Sequence, residues 1–255
     1  MIDIHCHFLP GIDDGPKSMN QAIEMGDYAN GEGVSAIIVT PHAFHSHFDT
    51  ADLDVYSAVT MLQQELRKRD IALELYAGQE IRIFGELLDA LEKGKALPLA
   101  ESRYVLIEFP SDFIPAYTES LFFNLQIEGY IPIIAHPERN RQFAMNPKRL
   151  FNFVSSGVLS QITTSSLTGL FGKNVQSLAY AFLRNNLSHF VASDAHNLEN
   201  RSFHWIDAKK LIISELGVEK WERYTMNAEA ILKDEYINLE PPTLPVKNWM
   251  GKWKL

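Results

Sequence analysis

Hydrophobic and polar positions alternate with a short period over some stretches of this chain and a longer one over others, and the two periods trade places repeatedly. Ile2-Asp-Ile-His-Cys-His7 alternates residue by residue, the signature of a strand whose successive side chains leave opposite faces. His5 and His7 therefore share one side, and Cys6 takes the other. Ser18 is placed to cap a helix reaching about residue 32, in which Ala22, Met25 and Ala29 keep the three-to-four spacing of a buried stripe until Gly31 and Gly33 end it. Residues 35–40 are an apolar run of the kind a parallel strand shows when both its faces are covered. A helix over 51–69 follows, with Val55, Val59, Leu62 and Leu66 on one side and Gln63, Gln64, Arg67 and Lys68 on the other.

The exchange continues. Strands are predicted over 73–81, 104–109, 131–136, 157–162 and 188–193, separated by helical segments over 84–91 and 117–128 and by a polar loop, 163–166, that leads into a helix ending near 185. Helices over 205–216 and 227–234 finish the body, and Glu240-Pro-Pro-Thr-Leu-Pro245 begins an extended tail. Seven strand-and-helix units predict a parallel sheet wrapped by helices, and their number favours a closed or nearly closed α/β barrel over an open sheet. The expected organisation is one (β/α)7 barrel domain over 1–238 and a tail over 239–255. That tail ends in a basic, aromatic stretch, read as a loosely packed terminus, with a membrane surface or another subunit as the alternative contact.

Composition narrows the function. Hydrophobic residues make up 46% of the 255, enough for a sizeable core. A formal charge of −9 with no basic stripe excludes a nucleic-acid backbone as the main partner. The single cysteine, Cys6, cannot form an internal disulfide and points to a reducing compartment. No charged, apolar leader precedes Ile2, and no apolar run approaches the ~18 residues of a membrane helix, so the chain is expected in the cytoplasm with no membrane span. Its oligomeric state is open, a homo-oligomer included.

The unusual polar residues fall where chemistry is done in parallel barrels. His5, His7, His42, Glu80, Glu108, His136, Asp194 and His196 all lie at or just past the C-terminal ends of predicted strands, which converge on one face. Any one of them alone reads as a polar group finishing a strand. Taken together, this many metal-type ligands on separate strand ends point to a metal site. Mixed imidazole and carboxylate ligands suit manganese, iron or zinc and argue against a thiolate structural zinc. Carboxylates shared between neighbouring ions would prepare a water for attack on a phosphoryl group. Arg139, just after His136, and Arg201, five residues past His196, are candidate clamps for the phosphoryl oxygens, with surface ion pairing as the alternative for both. Asp13 and Asp14 lie on the loop behind the first strand. His45 and His47, beyond His42, are read as solvated.

The set His5-x-His7, Asp13-Asp14-Gly-Pro, Thr40-Pro-His42, Gly78-Gln-Glu80, Ile107-Glu108-Phe, Ala135-His136-Pro-Glu-Arg139 and Ser193-Asp194-Ala-His196-Asn197 resembles the PHP (polymerase and histidinol phosphatase) metal-hydrolase superfamily. Within it, the Asp-Asp-Gly-Pro loop and the last two motifs resemble the CpsB/YwqE-type protein-tyrosine phosphatases of bacterial capsule and exopolysaccharide systems. The resemblance implies a distorted seven-stranded barrel holding two to three divalent ions, manganese foremost. One ion would be held by His5, His7, Glu80 and Asp194, a second by Glu80, Glu108 and His136, and a third by Asp14, His42 and His196. Spacing does not decide between Asp13 and Asp14. The resemblance further implies hydrolysis of phosphotyrosine on the tail of a bacterial tyrosine kinase by direct attack of a metal-bridging hydroxide, with His42, Arg139 and Arg201 around the reacting group. No Cys-x5-Arg loop exists, which rules out a cysteinyl-phosphate route. The competing expectations are a small-molecule phosphoesterase of the histidinol-phosphate type and a docking module that binds metal without turnover.

Overall fold

The computed structural model describes residues 1–48, 50, 53–247 and 253. Nine strands are assigned among them, every pair parallel. In chain order they are β1 (Ile2–Cys6), β2 (Ala36–Val39), β3 (His42–Ala43), β4 (Glu74–Ala77), β5 (Glu80–Arg82), β6 (Tyr104–Glu108), β7 (Ile131–Ala135), β8 (Leu159–Thr163) and β9 (Phe190–Ala192). The helices are α1 (Met19–Gly31), α2 (Val55–Arg67), α3 (Leu87–Glu92), α4 (Thr118–Ile127), α5 (Arg141–Met145), α6 (Lys148–Ser155), α7 (Thr164–Thr168), α8 (Lys173–Arg184), α9 (Trp205–Leu216) and α10 (Val218–Leu232). The start of the expected 51–69 helix at Ala51 lies outside the described residues; the helix proper begins at Val55, where the Asp54 carboxylate accepts from the Ser57 amide.

The strands form two sheets, β1-β2-β4 and β3-β5-β6-β7-β8-β9. The α/β class and the parallel pairing are as expected, but the closed or nearly closed barrel is not seen as one continuous sheet among the described residues, since the ladder breaks twice. The expected strand ending at residue 40 continues, after Thr40-Pro41, as β3, and the expected 73–81 strand divides at Gly78-Gln79 into β4 and β5. Pro41 has no amide hydrogen to donate to a ladder. Beyond Gly78, the Glu80 amide turns to the Pro41 carbonyl. At the other edge, β1 meets the chain just past β9 through one bridge, Cys6 to Ala195, flanked by Asp194 N–H to His5 O at 2.8 Å and His7 N–H to Ala195 O at 2.9 Å.

Alternation along the strands, thrown out of phase in β1 by a register shift between Asp3 and Cys6, sorts side chains into two cores. Ile4, Ile38, Tyr104, Leu106, Ile133, Ala135, Leu159, Phe190 and Ala192 cluster together on one side, against Ala228 and Ile231 of α10. Cys6, Ile37, Val39, Ile81, Val105, Ile107, Ile134, Ile162 and Val191 point the other way, toward the surrounding helices. Cys6 is thus the packed core residue its position implied.

Three local expectations are revised. Residues 163–166 are not a loop, because Thr163 caps α7 by accepting from the Ser166 amide. The helix expected over 227–234 is the end of a longer one, α10. The pattern also missed α5 and α6, both short. Part of the tail is held in place: Glu240 pairs with Lys220 and Arg223, and the Thr243 amide donates to Asn185 O at 2.9 Å. Residues 248–252, 254 and 255 of the expected tail lie outside the described residues. No helix among the described residues is long and apolar enough to cross a membrane.

Candidate active site

The strands deliver polar residues to one pocket by continuing the inward-facing alternation past their apolar rungs. Glu108 follows Tyr104 and Leu106 on β6, and Asp194 follows Phe190 and Ala192 past β9. On β5, Glu80 and Arg82 flank the outward Ile81. His136 would face outward by the same count. A left-handed backbone, φ 32°, re-aims it, and Asp194 is also left-handed at φ 53°. For residues with a Cβ this costs about 1–2 kcal/mol each, and such strain gathers at functional sites.

Three imidazoles are held by one ring nitrogen and present the other. His7 Nδ1 lies 2.7 Å from Asp13 Oδ2, His5 Nδ1 lies 3.0 Å from Gln161 Oε1, and His196 Nδ1 lies 2.9 Å from Asp194 O. Each partner is an acceptor, so Nδ1 carries the hydrogen and Nε2 offers its lone pair to the pocket. His5 Nε2 and His7 Nε2 stand 3.3 Å apart. Glu80 Oε2 is 3.4 Å from the first and 3.2 Å from the second, and Asp194 Oδ1 is 3.3 and 3.4 Å from them.

Two more groupings adjoin this one. His42 Nδ1 lies 3.0 Å from Glu80 Oε2 and 3.9 Å from Glu108 Oε2, while His136 Nε2 lies 2.8 Å from Glu80 Oε1. Asp14 Oδ1 is 3.1 Å from His196 Nε2 and 3.6 Å from His42 Nε2. Ligand atoms of His5, His7, Glu80 and Asp194, of His42, Glu80 and Glu108, and of His7, Asp14, His42 and His196 each lie within 4.8 Å of one another. His42 Nδ1, His196 Nε2 and Glu108 Oε2 are buried and lack an aligned hydrogen-bond partner among the described residues. Buried imidazole and carboxylate atoms converging in this way from separate strands fit a cation. The residues present therefore fit a bound metal.

The electrostatics divide the groups: His136 and His196 are held neutral, while His7 is drawn toward its protonated form and Glu108 toward its neutral one. Burial pushes the Glu108 carboxyl up to about 8, helped by the Glu80 charge and opposed by Arg82 and Arg139. Burial lowers His136 and His196 to about 4, keeping both as the neutral bases that bind metal. Burial resists the charge on His7 too, but the Asp13 carboxylate outweighs it and raises that imidazole well above its ordinary value. Asp194 is held well below the carboxylate range, because Arg139, His5 and Arg201 overcome its burial. The pocket calls for positive charge at its centre.

Asp13 and Asp14, indistinguishable by spacing, are separated by the fold. Asp13 turns away, accepting from His7, the His42 amide at 3.1 Å and the Gly15 amide at 3.0 Å, while Asp14 reaches the pocket. Arg139 Nη1 lies 2.5 Å from Asp194 Oδ2, with its guanidinium over the Phe171 ring. Arg201 spans Asp14 and Asp194, each at 3.1 Å. Neither is a remote surface pair. His47 is exposed as expected, but His45 is only half-exposed and stacks on His42 with ring centroids 4.8 Å apart, beside Phe48, which lies parallel to His42 at 5.1 Å. Sequence reasoning missed Gln161, which fixes His5, and Arg82, which reaches Glu108. Gln161 sits on β8 in an inward position that Leu159 fills lower down, and Arg82 continues the inward series of Glu80 on β5; that alternation was the available signal.

A model of the family described as capsular polysaccharide synthesis, CpsB/CapC, matches residues 1–233. The chain belongs to the CpsB/CapC family. It is similar to the tyrosine-protein phosphatase YwqE of Bacillus subtilis, 45% identical over 247 residues that cover 97% of each chain. It is also similar to the putative tyrosine-protein phosphatase CapC of Staphylococcus aureus, 42% identical over 98% of this chain and 99% of the other. A more distant CpsB/CapC relative is the tyrosine-protein phosphatase CpsB of Streptococcus pneumoniae, 32% identical over 93% of this chain and 100% of the other. Among solved structures, one from a crystallographic study of YwqE and CpsB, described there as metal-dependent tyrosine phosphatases, matches with a TM-score of 0.94 and 45% identity over 97% of this chain and 100% of the other. Dihydropyrimidinase from Brevibacillus agri shares the fold, with a TM-score of 0.52 and 10% identity over 95% of this chain and 73% of that one.

Proposed function

We propose that this protein is a metal-dependent protein-tyrosine phosphatase acting on the phosphotyrosine tail of a bacterial tyrosine kinase in capsule or exopolysaccharide synthesis. The observation that carries the reading is the pocket in which three ligand groupings share Glu80, His7 and His42, in a family whose relatives carry that activity in their names. Two to three divalent ions occupy it, manganese foremost, with iron or zinc as alternatives of the same ligand chemistry. His5, His7, Glu80 and Asp194 hold one, Glu80 and Glu108 with His136 a second, and Asp14, His42 and His196 the third. The two sheets act together as a distorted barrel domain over 1–238, carrying the 239–255 tail, and the enzyme works in the cytoplasm.

Bound ions supply Lewis-acid charge and a water acidic enough to be a nucleophile near neutral pH. The protein's own groups do the rest. Arg139 and Arg201, already drawn to the edge of the pocket by Asp194, turn their remaining donors toward the phosphoryl oxygens as negative charge gathers there. Asp13, Gln161 and the Asp194 carbonyl keep His7, His5 and His196 in the tautomer that presents Nε2. A phenolate leaving group, with a reference pKa of about 10, needs little proton assistance. Cys6 takes no part, since burial raises its thiol well above the ordinary value and the side chain lies in the outer core.

The test is release of phosphate from a phosphotyrosine peptide with and without manganese. Activity that persists after complete chelation and in His136→Ala would overturn the proposal. Comparing kcat/KM on the phosphopeptide with that on histidinol phosphate separates the protein substrate from a small one.

A further inference from the structure

Arg82 lies two residues beyond Glu80 on β5, so both leave the strand on the same side, with Arg82 about 6.6 Å nearer the mouth. Its register partner is Glu108, and its Nη2 lies 3.0 Å from Glu108 Oε2. That carboxylate is its sole ionic partner among the described residues. The rest of the guanidinium fork is left to face the pocket and solvent, for the side chain is 22% exposed, much like Arg139 at 24% and Arg201 at 28%.

The three arginines are anchored on two different carboxylates. Arg139 and Arg201 both bond Asp194, just past β9, whereas Arg82, on β5, bonds Glu108 of β6. A phosphoryl group carries three peripheral oxygens, more than donors gathered around one carboxylate are placed to meet. A forked cation anchored on a different carboxylate adds donors of its own, with planar geometry that a lysine would not reproduce.

We propose that Arg82 is a third anion-binding arm of the site, taking a peripheral oxygen of the substrate's phosphoryl group from its anchor on Glu108, while Arg139 and Arg201 are anchored on Asp194. This rests on the phosphatase reading above. The alternative that the geometry must be tested against is that Arg82 does no more than neutralise Glu108.

The experiment uses the full-length, manganese-loaded protein as wild type, Arg82→Gln and Arg82→Lys. Calorimetry measures the affinity for inorganic phosphate, kinetics give KM for p-nitrophenyl phosphate and for phosphotyrosine peptides with neutral or acidic flanks, and elemental analysis gives metal content. A lost charge-assisted contact should weaken phosphate binding about tenfold in Arg82→Gln and raise all three KM values alike, with metal content unchanged and partial recovery in Arg82→Lys. Unchanged phosphate affinity would sink the idea. An effect confined to the acidic-flank peptide would assign Arg82 to a neighbouring carboxylate instead. Metal loss with normal phosphate affinity in the loaded fraction would leave it as a support for Glu108. If wild type binds phosphate through Arg82 but shows no metal-dependent turnover, the phosphatase reading fails and this inference stands. Wild type that binds no phosphate overturns it.

Discussion

Asp13 Oδ2 holds His7 Nδ1 at 2.7 Å, which makes the first of the two loop aspartates an orienting group and leaves the second to face the pocket. Asp13→Asn keeps the shape but offers an amide where a carboxylate stood, loosening the tautomer of His7. Loss of such an orienting partner typically weakens metal affinity about 10–100-fold. Competition with a calibrated chelator should show that drop with the fold intact by circular dichroism; affinity equal to wild type would remove Asp13 from this role.

Gly15 sits under the same loop, and a Cβ there would lie 2.7 Å from His7 O and 3.0 Å from Asp13 Oδ1. One contact is backbone and cannot swing away. Gly15→Ala should therefore displace the loop, costing about 1–3 kcal/mol and lowering metal retention. Gly85→Ala, whose Cβ would meet nothing within 4 Å, is the matched control and should stay within about 0.5 kcal/mol. Equal melting temperatures and equal metal content for the two variants would contradict the argument.

Ion removal should be visible in stability as well as activity. A ligand present at 100 times its dissociation constant stabilises the folded state by about 2.7 kcal/mol. In a chain of this size that is a shift of roughly 5–10 °C in Tm. Thermal melts with manganese and with chelator should differ by that order, and the gap should close in Glu80→Gln, which removes a carboxylate from two of the ligand groupings. A variant that keeps the full gap would show that Glu80 binds no ion.

His189 supplies a pH test away from the site. Its Nδ1 accepts the Ser160 amide at 3.2 Å, and its Nε2 is buried without a partner among the described residues. Burial, with Lys220 adding to it, lowers this imidazole from 6.5 to about 3. Between those values the unfolded chain takes up a proton that the folded one refuses, so stability falls as pH drops, at a limiting slope of about 1.4 kcal/mol per pH unit. His189→Asn retains an acceptor for Ser160 and does not titrate. Its melting temperature should fall less steeply from pH 6.5 to 4.5 than that of wild type, and parallel curves would refute the assignment.

Much of this was legible beforehand because a strand writes its facing into its alternation. Glu108 and Asp194 continue an apolar series by twos, and His5 and His7 share a side across Cys6, although the register shift between Asp3 and Cys6 puts them out of step with Ile4 below. What escaped were features that depend on where separate segments meet. The division of labour between Asp13 and Asp14 is set by which of them lands beside His7, and the reach of Arg82 by its register with Glu108. The breaks at Pro41 and Gly78 were visible as residues, yet their effect on the ladder depends on neighbouring strands. α7 was lost to composition, since a Thr-Ser-rich stretch reads as a loop until one hydroxyl is seen to cap it.

The interruption of two adjacent strands at the same level divides the frame that carries the pocket. His5 rides on one hydrogen-bonded ladder, with His7 just past its strand, and His42, Glu80 and Glu108 ride on the other. The two ladders stay tied at their other edge, where the Asp194 amide donates to His5 O and the His7 amide to Ala195 O, so the halves of the pocket are joined through the backbone that carries Asp194 itself.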